Sequence, residues 1–235
     1  MPPPQLFALL AAMGSNVDSD GFLDILTAFR PKQDEVTRSL ALFSAAIAVG
    51  RTDVLNEAVA LGRRYSVRRN QMYEAVLQSY LFLGFPRMLI AAEVLGEAFP
   101  DYHGNSTLQP YGSDESTAWF DNGIKLCRRV YGDSYELLKA KVESVAPEVF
   151  RWMIIEGYGK VLSRPELAVV DRELSIVASL MIENLPKQLF SHMKGALNVG
   201  ASRQLLQTVV SDIGSVAGEG YSSALAITDK LGRNG

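Results

Sequence analysis

The sequence contains little of the chemistry that marks several common classes of protein. Its 235 residues include one cysteine and two histidines, and its formal net charge is −3. A single thiol, Cys127, excludes an internal disulfide framework and is typical of a protein kept in a reducing compartment. An acidic total disfavours non-specific binding to nucleic acid, because such binding needs Lys and Arg to neutralise phosphates. We therefore expect no nucleic-acid partner.

Long apolar runs and an early basic residue are also missing. The apolar segment LFALLAAM at residues 6–13 has no Lys or Arg before it, since the first basic residue is Arg30. A signal peptide needs a positively charged start, so this segment is predicted to be an amphipathic docking segment. No other run approaches the roughly 20 apolar residues that span a membrane. These absences predict a cytoplasmic protein with no membrane contact.

Helical periodicity is present along nearly the whole chain. Apolar residues recur at steps of three and four, and no segment shows the strict alternation that is typical of a half-buried strand. The fold class is therefore predicted to be all-α. The clearest helical series is Leu167, Val170, Leu174, Val177 and Met181.

Helix boundaries are predicted from capping residues. Ser163 followed by Glu166 forms a capping box, and Pro165 suits a first turn because its missing N–H is not needed there. A helix is therefore predicted to begin near Pro165. Pro147 and Pro186 mark the first turns of two further helices. Glycines are expected where helices stop. These are Gly84, Gly200 and Gly218.

The chain also has the pattern of a diverged internal repeat. Aligning Arg38 with Arg172 sets an offset of 134 residues, and this offset also keeps apolar positions and glycines such as Gly84 and Gly218 in register. We predict two tandem helical repeats packed as one pseudo-symmetric unit. The predicted bounds are 1–99 for a degenerate first repeat, 100–117 for a polar, turn-rich loop and 118–235 for the second repeat.

Two residues of the second repeat could carry proton transfer. Four aliphatic neighbours at helical spacing would desolvate the carboxylate of Glu173 and favour proton uptake, although a surface acid on an amphipathic helix is the alternative. His192 lies on the next predicted helix beside Gly195, and an imidazole next to such a gap could exchange a proton near neutral pH. A packed structural histidine is the alternative there. The first repeat has Ser39 and Ala58 at the matching positions.

Three motifs follow one another in the second repeat: YGKVLSRPEL, DRELSIVASL and LFSHMKGALNVGAS. Together they resemble the carboxymuconolactone decarboxylase family, which is related to alkyl hydroperoxidase D-type proteins. The resemblance covers roughly residues 156–228 and implies an all-helical fold and a homo-oligomer. The matching positions are Tyr158, Gly159, Ser163, Arg164, Pro165, Leu167, Arg172, Glu173, Leu174, His192, Gly195, Ala196, Leu197, Asn198 and Gly200.

The peroxidase branch of that family places Cys-x-x-Cys before the histidine. Here these positions hold Leu185 and Gln188, and the first repeat holds Arg51 and Val54. A thiolate is the nucleophile in that chemistry, so the departure predicts that thiol peroxidase activity is absent. Cys127 is expected to be a buried structural thiol.

The decarboxylase branch implies loss of CO₂ from an unsaturated carboxy-lactone without a cofactor or metal ion. Such a site needs a proton donor, a cation for the remaining carboxylate and a dry pocket. We predict that His192 delivers the proton to a small carboxylated or lactone-like substrate and that Glu173 orients or recharges His192. Arg164 is the candidate for carboxylate binding, with a solvated role as its alternative. The competing hypothesis is a non-catalytic oligomeric scaffold or binding protein of the same family.

One other charge cluster, in GRRYSVRRN, surrounds Tyr65. Basic residues interleaved with an aromatic can bind phosphates or single-stranded nucleic acid. The acidic total favours a solvated helix end or an oligomer contact instead. The cluster consists of Arg63, Arg64, Arg68 and Arg69.

Overall fold

The computed structural model describes residues 18–102 and 109–233, and every regular element in those ranges is helical. The all-α prediction is confirmed. The α-helices are α1 (Ser19–Ala28), α2 (Glu35–Val49), α3 (Thr52–Arg64), α4 (Arg69–Ala98), α5 (Ser113–Tyr131), α6 (Tyr135–Glu143), α7 (Pro147–Trp152), α8 (Val169–Ile182), α9 (Pro186–Val199), α10 (Arg203–Ile213) and α11 (Glu219–Arg233). A π-helical segment, Met153–Leu162, continues directly from α7.

Prolines and glycines set several helix ends as predicted. Pro147 and Pro186 occupy the first turns of α7 and α9, where no N–H is required. Gly200 ends α9 with a φ of 117°, in the left-handed region that glycine adopts without a steric penalty. These boundaries follow from local chemistry alone.

The predicted helix start near Pro165 is wrong, because α8 begins at Val169. The hydroxyl of Ser163 donates a hydrogen bond to the carbonyl oxygen of Gly159, one turn earlier in the chain. Ser163 therefore closes the π-helical segment instead of capping α8. A short turn of residues 164–168 then separates the two helices.

Helices α2 and α8 form the centre of the molecule and pack against each other. Every residue from Ser39 to Val49 and from Arg172 to Ile182 is buried. A helix that is buried all round must be covered on every side, here by α3, α4 and α10 around α2 and by α4, α9, α10 and α11 around α8. Since each fully buried aliphatic side chain contributes about 1.5–3 kcal/mol, this central pair supplies much of the stability.

Helix starts in the two halves of the chain are related by a constant offset. Helices α2, α3 and α4 are followed 134 residues later by α8, α9 and α10, at every start. The hydroxyl of Thr37 donates to the carboxylate of Asp171 over 2.6 Å, and these two residues are 134 positions apart. The packing of two tandem repeats as one pseudo-symmetric unit stays a prediction.

The connection between the two blocks is shorter than the predicted loop of residues 100–117, because α5 begins at Ser113. The carboxylate of Glu115 accepts the backbone N–H of Gly112 over 2.9 Å and so stabilises the start of that helix. Residues 103–108 and the segment at 6–13 lie outside the described residues.

Helix α4 is long, apolar and broken. Within the described ranges it is the one helix long and apolar enough to cross a membrane by length and composition alone, with a window of mean hydropathy 1.4 that is 28% buried. Its helical geometry is interrupted at Gly84, where φ is 76° and ψ is 170°, and Pro86 follows. The expectation of no membrane contact stays a prediction.

A buried ion pair ties α4 to α8. Arg172 is 1% exposed and donates to the carboxylate of Glu74 over 2.8 Å. Arg164, in the turn before α8, donates to both oxygens of the same carboxylate over 2.9 and 3.0 Å. Gln78 accepts a further hydrogen bond from Arg172 over 3.3 Å. The charge of Arg172 is therefore compensated by partners from another part of the chain.

Replacing Glu74 by Ala should cost about 3–5 kcal/mol in the free energy of unfolding, because the guanidinium of Arg172 would be left buried without its anion. Urea unfolding followed by circular dichroism measures the loss. Glu97→Ala, on an exposed site of the same helix, is the matched control and should change stability by less than about 0.5 kcal/mol. A similar small change for both variants would contradict the role assigned to the ion pair.

Candidate functional site

The structure brings Glu173 and His192 together at the contact between α8 and α9. The Nδ1 atom of His192 lies 2.8 Å from Oε2 of Glu173. His192 is 6% exposed, and Glu173 is 1% exposed. Two ionisable groups that share a hydrogen bond away from water form a unit that can hold and pass a proton.

Gly195 makes room for this pair. A Cβ atom built on Gly195 would lie 2.8 Å from Oε2 of Glu173 and 2.8 Å from a methyl carbon of Val130. Real Cβ atoms do not approach other atoms so closely, so the carboxylate occupies space that any side chain at this position would take. The gap predicted beside Gly195 is therefore filled by the carboxylate that binds the imidazole.

The contact with Glu173 involves Nδ1 of His192. A carboxylate accepts hydrogen bonds, so a protonated Nδ1 satisfies this contact. His192 also lines a pocket. The ring of Phe82 meets the imidazole edge to face, with centroids 5.2 Å apart, and limits its rotation. The imidazole is therefore held between a carboxylate and an aromatic ring at the wall of the pocket.

The pocket beside His192 has a volume of about 240 Å³. This volume is slightly below the ~300 Å³ at which pockets for drug-sized ligands begin, so a small molecule fits it. The walls come from α4, α5, α7, α9 and the π-helical segment, and most of them are apolar or aromatic. The lining residues are Leu81, Phe82, Tyr131, Val149, Trp152, Met153, Glu156, Gly157, Tyr158, Leu162 and His192.

Two tyrosines share the pocket wall with His192. The rings of Tyr131 and Tyr158 meet edge to face, with centroids 6.2 Å apart. Burial raises the pKa of Tyr131 to about 12 and raises the pKa of Tyr158 well above its usual range, and the charge of Glu173 adds to both shifts. Both groups are therefore neutral hydroxyls at neutral pH, and a hydrogen bond from Tyr158 to Tyr131 joins them.

Glu156 is the acidic residue of the lining. The hydroxyl of Tyr80 donates to its Oε1 atom. The ammonium group of Lys160 lies 3.2 Å from the same oxygen, one helical turn further along the chain. Lys160 also lies over the rings of Tyr111 and Trp119, at 4.9 and 5.7 Å from their centroids. These partners hold the Glu156 carboxylate in place at the wall of the pocket.

Arg164 does not line this pocket, because its guanidinium is engaged by Glu74. Two members of the arginine cluster of residues 63–69 contact aromatic rings. Arg63 lies over the ring of Phe99, and Arg69 lies over the ring of Tyr73. Among the described residues, no three His, Cys, Asp or Glu side chains are grouped as metal ligands would be.

Glu173 and His192 were predicted from the sequence, but most residues that line the pocket were not. Phe82, Tyr131 and Glu156 come from three different elements, and no spacing in the sequence brings them together. The π-helical segment gave no distinct signal either, since its apolar residues follow ordinary helical steps. Such segments often lie at functional sites, and here one supplies five lining residues.

Two curated proteins, both named peroxisomal protein 2, are similar to the chain. The one from Schizosaccharomyces pombe is 26% identical over 135 residues, which cover 57% of this chain and 62% of the relative. The one from Saccharomyces cerevisiae is 24% identical over 160 residues, which cover 58% of this chain and 56% of the relative. The chain therefore spans less than two thirds of either relative. No protein-family model matches the chain, and the resemblance to carboxymuconolactone decarboxylases stays a prediction.

The thiol of Cys127 should not react in the folded protein. Burial raises its pKa to about 12, and the charge of Glu173 adds to the shift. At pH 8 such a thiol is ionised in about one molecule in ten thousand. Alkylation by iodoacetamide, followed by mass spectrometry, should be at least ~1,000-fold slower for native protein than for protein unfolded in urea. Rapid labelling of the native form would show that the thiol is available for redox chemistry.

Gly195→Ala should separate the imidazole from its carboxylate. The added methyl group overlaps Oε2 of Glu173, and overpacking of this kind costs about 1–3 kcal/mol in stability. Thermal unfolding measures the cost. Gly96→Ala is the control, because an added Cβ there meets nothing within 4 Å and should be neutral or slightly stabilising. Equal stability of the two variants would mean that the site tolerates a side chain at 195.

Proposed function

We propose that the protein is an enzyme that transfers a proton at a carbon atom beside a carbonyl group of a small molecule, without a cofactor. The hydrogen bond of 2.8 Å between Glu173 and His192, at the wall of a small apolar pocket, is the observation that carries the proposal. A histidine whose Nδ1 atom is held by a carboxylate has a fixed ring orientation, as a general base requires. Glu173 acts as a positioning residue.

The proposed step is balanced without any further reactant. Nε2 of His192 accepts a proton from the carbon, and the electron pair of the broken C–H bond moves into the carbonyl group as an enolate. The same nitrogen then returns the proton to carbon, at the original or a conjugated position. The product is an exchanged or isomerised molecule, and the protein ends in its starting protonation state.

The hydroxyls of Tyr131 and Tyr158 supply stabilisation for the enolate oxygen in this scheme. Both line the pocket, and both stay protonated because burial raises their pKa. Hydrogen-bond donors that are already in place when negative charge develops are among the largest contributors to catalysis, and removing one commonly costs 10²–10³-fold in rate.

Decarboxylation of a carboxy-lactone has less support than proton transfer. That reaction needs a cation for the substrate carboxylate, and the candidate predicted for this role was Arg164. Its guanidinium makes two hydrogen bonds to Glu74. The lactone-like part of the predicted substrate is compatible with the pocket, because a lactone carbonyl is uncharged and can accept a hydrogen bond from a tyrosine.

A non-catalytic binding protein is the second candidate. The first half of the chain has Ser39 and Ala58 where the second half has Glu173 and His192. We propose that the two halves arose by duplication, which the constant offset of the helix starts and the contact of Thr37 with Asp171 support. The first half therefore lacks both the carboxylate and the imidazole, as expected for a scaffold under no catalytic constraint.

The predicted homo-oligomer also remains a proposal. Phe85, Leu89 and Trp152 are each at least 60% exposed, and a second copy that covers such apolar groups would stabilise the assembly. The cytoplasmic location stays a prediction, and the names of the two relatives supply a peroxisomal location as its alternative. Imaging of a fluorescent fusion beside a peroxisomal marker separates the two.

His192→Ala should lower the rate of any proton exchange that the protein catalyses by 10²-fold or more, the usual contribution of a general base. The assay incubates a panel of lactones, ketones and β-keto acids with protein in D₂O and follows deuterium uptake by NMR and CO₂ release by gas analysis. Glu173→Gln should also be impaired, because a neutral amide fixes the imidazole less firmly. Glu97→Gln is the control and should keep full activity.

Full exchange activity in the His192→Ala variant would remove the assignment. Absence of exchange and of CO₂ release for the whole panel would favour the non-catalytic candidate.

A further inference from the structure

The charged groups around the pocket determine what kind of molecule it can hold. Among the residues that the structure describes, no Lys or Arg side chain lines it, and the acidic side chain of the lining is Glu156. Two basic residues of this region are engaged by carboxylates. Lys160 pairs with Glu156, and Arg164 pairs with Glu74. A ligand in the pocket therefore meets an acceptor, an imidazole and two hydroxyls, but no free positive charge.

We infer that the pocket selects an uncharged planar molecule that carries an N–H or O–H donor, and that it rejects a carboxylate. Such a molecule would be the substrate class of the proposed proton-transfer site, a role that rests on the proposed function. Its binding can be tested without any turnover.

Charge is the reason for rejecting an anion, because the lining offers a carboxylate no Lys or Arg and contains the carboxylate of Glu156. A carboxylate that leaves water for an apolar site loses strong hydration, and binding is favourable only if cations or several N–H groups replace it. Phe82, Trp152, Leu162 and Val149 offer no polar replacement. His192 is compensated already, because its Nδ1 atom is bonded to Glu173. The hydroxyls of Tyr131 and Tyr158 can donate to a carbonyl, but two neutral donors do not offset the loss for a full charge.

The shape of the lining favours a planar ligand. Four aromatic side chains border a space of about 240 Å³. Flat faces and edges of aromatic rings pack best against other flat groups. The aromatic side chains are Phe82, Tyr131, Trp152 and Tyr158.

Glu156 supplies the selectivity for a hydrogen-bond donor. Its Oε1 atom is taken by Tyr80 and Lys160, while Oε2 has only a long contact of 3.4 Å to Lys160. A carboxylate oxygen can accept about two hydrogen bonds, so Oε2 has capacity for a donor on the ligand. A ligand carboxylate at the same place would bring two acceptors and two like charges together.

Benzamide and benzoate provide a matched test, because they have the same shape and differ in charge and in N–H donors. Binding is followed through the fluorescence of Trp152, which lines the pocket. We expect benzamide to bind at least tenfold more tightly than benzoate at neutral pH. The Trp152→Phe variant, which keeps Trp119, should lose most of the signal change and so locates the binding event.

Glu156→Gln keeps the size of the side chain and removes its charge, so it should shrink the preference for benzamide at least threefold, mainly by improving the binding of benzoate. Glu97→Gln, far from the lining in the exposed part of α4, should leave the ratio of the two dissociation constants unchanged.

Tighter binding of benzoate than of benzamide, the same ratio in Glu156→Gln as in the parent protein, or no binding of either molecule would each overturn the inference. A protein that prefers benzamide but shows no exchange dependent on His192 would keep this inference and lose the proposed function. A protein that exchanges protons through His192 but prefers benzoate would keep the proposed function and lose this inference.

Discussion

One hydrogen bond, between Nδ1 of His192 and the carboxylate of Glu173, is the interaction on which the account of this protein depends. It joins α8 to α9, and it orients the imidazole of His192, which lines the pocket. Gly195 is required because the carboxylate fills the space of a side chain there. Without this bond the pocket would be a hollow among aromatic rings with no group placed to move a proton.

The rest of the fold keeps that bond in place. Glu173 lies on a helix that is buried on all sides, so its backbone position is fixed by packing. Next to it in the chain, Arg172 is held by Glu74 of α4, and α4 also supplies Phe82, which limits rotation of the imidazole. The same helices that bury the ion pair therefore form the wall of the pocket. Stability and the geometry of the site have a common structural origin.

Helical periodicity was enough to predict the fold class, and first-turn prolines and left-handed glycines placed several helix ends, because these are local properties of the chain. The pair of Glu173 and His192 was also predicted, since 19 residues and one helix reversal separate the two. The wrong prediction at Ser163 shows the limit of local sequence signals. Its hydroxyl could bond to either neighbouring helix, and the choice depends on the folded backbone. Arg164 and Glu156 depend on partners from α4, which no sequence pattern links to them.

The most direct test of the account is the tautomer of His192, measured by NMR on protein labelled with ¹⁵N at histidine and assigned with the His192→Ala variant. At neutral pH we expect a protonated Nδ1 and a bare Nε2, with this pattern lost in Glu173→Ala. A proton on Nε2, or a pattern that Glu173→Ala leaves unchanged, would contradict the central role of the hydrogen bond.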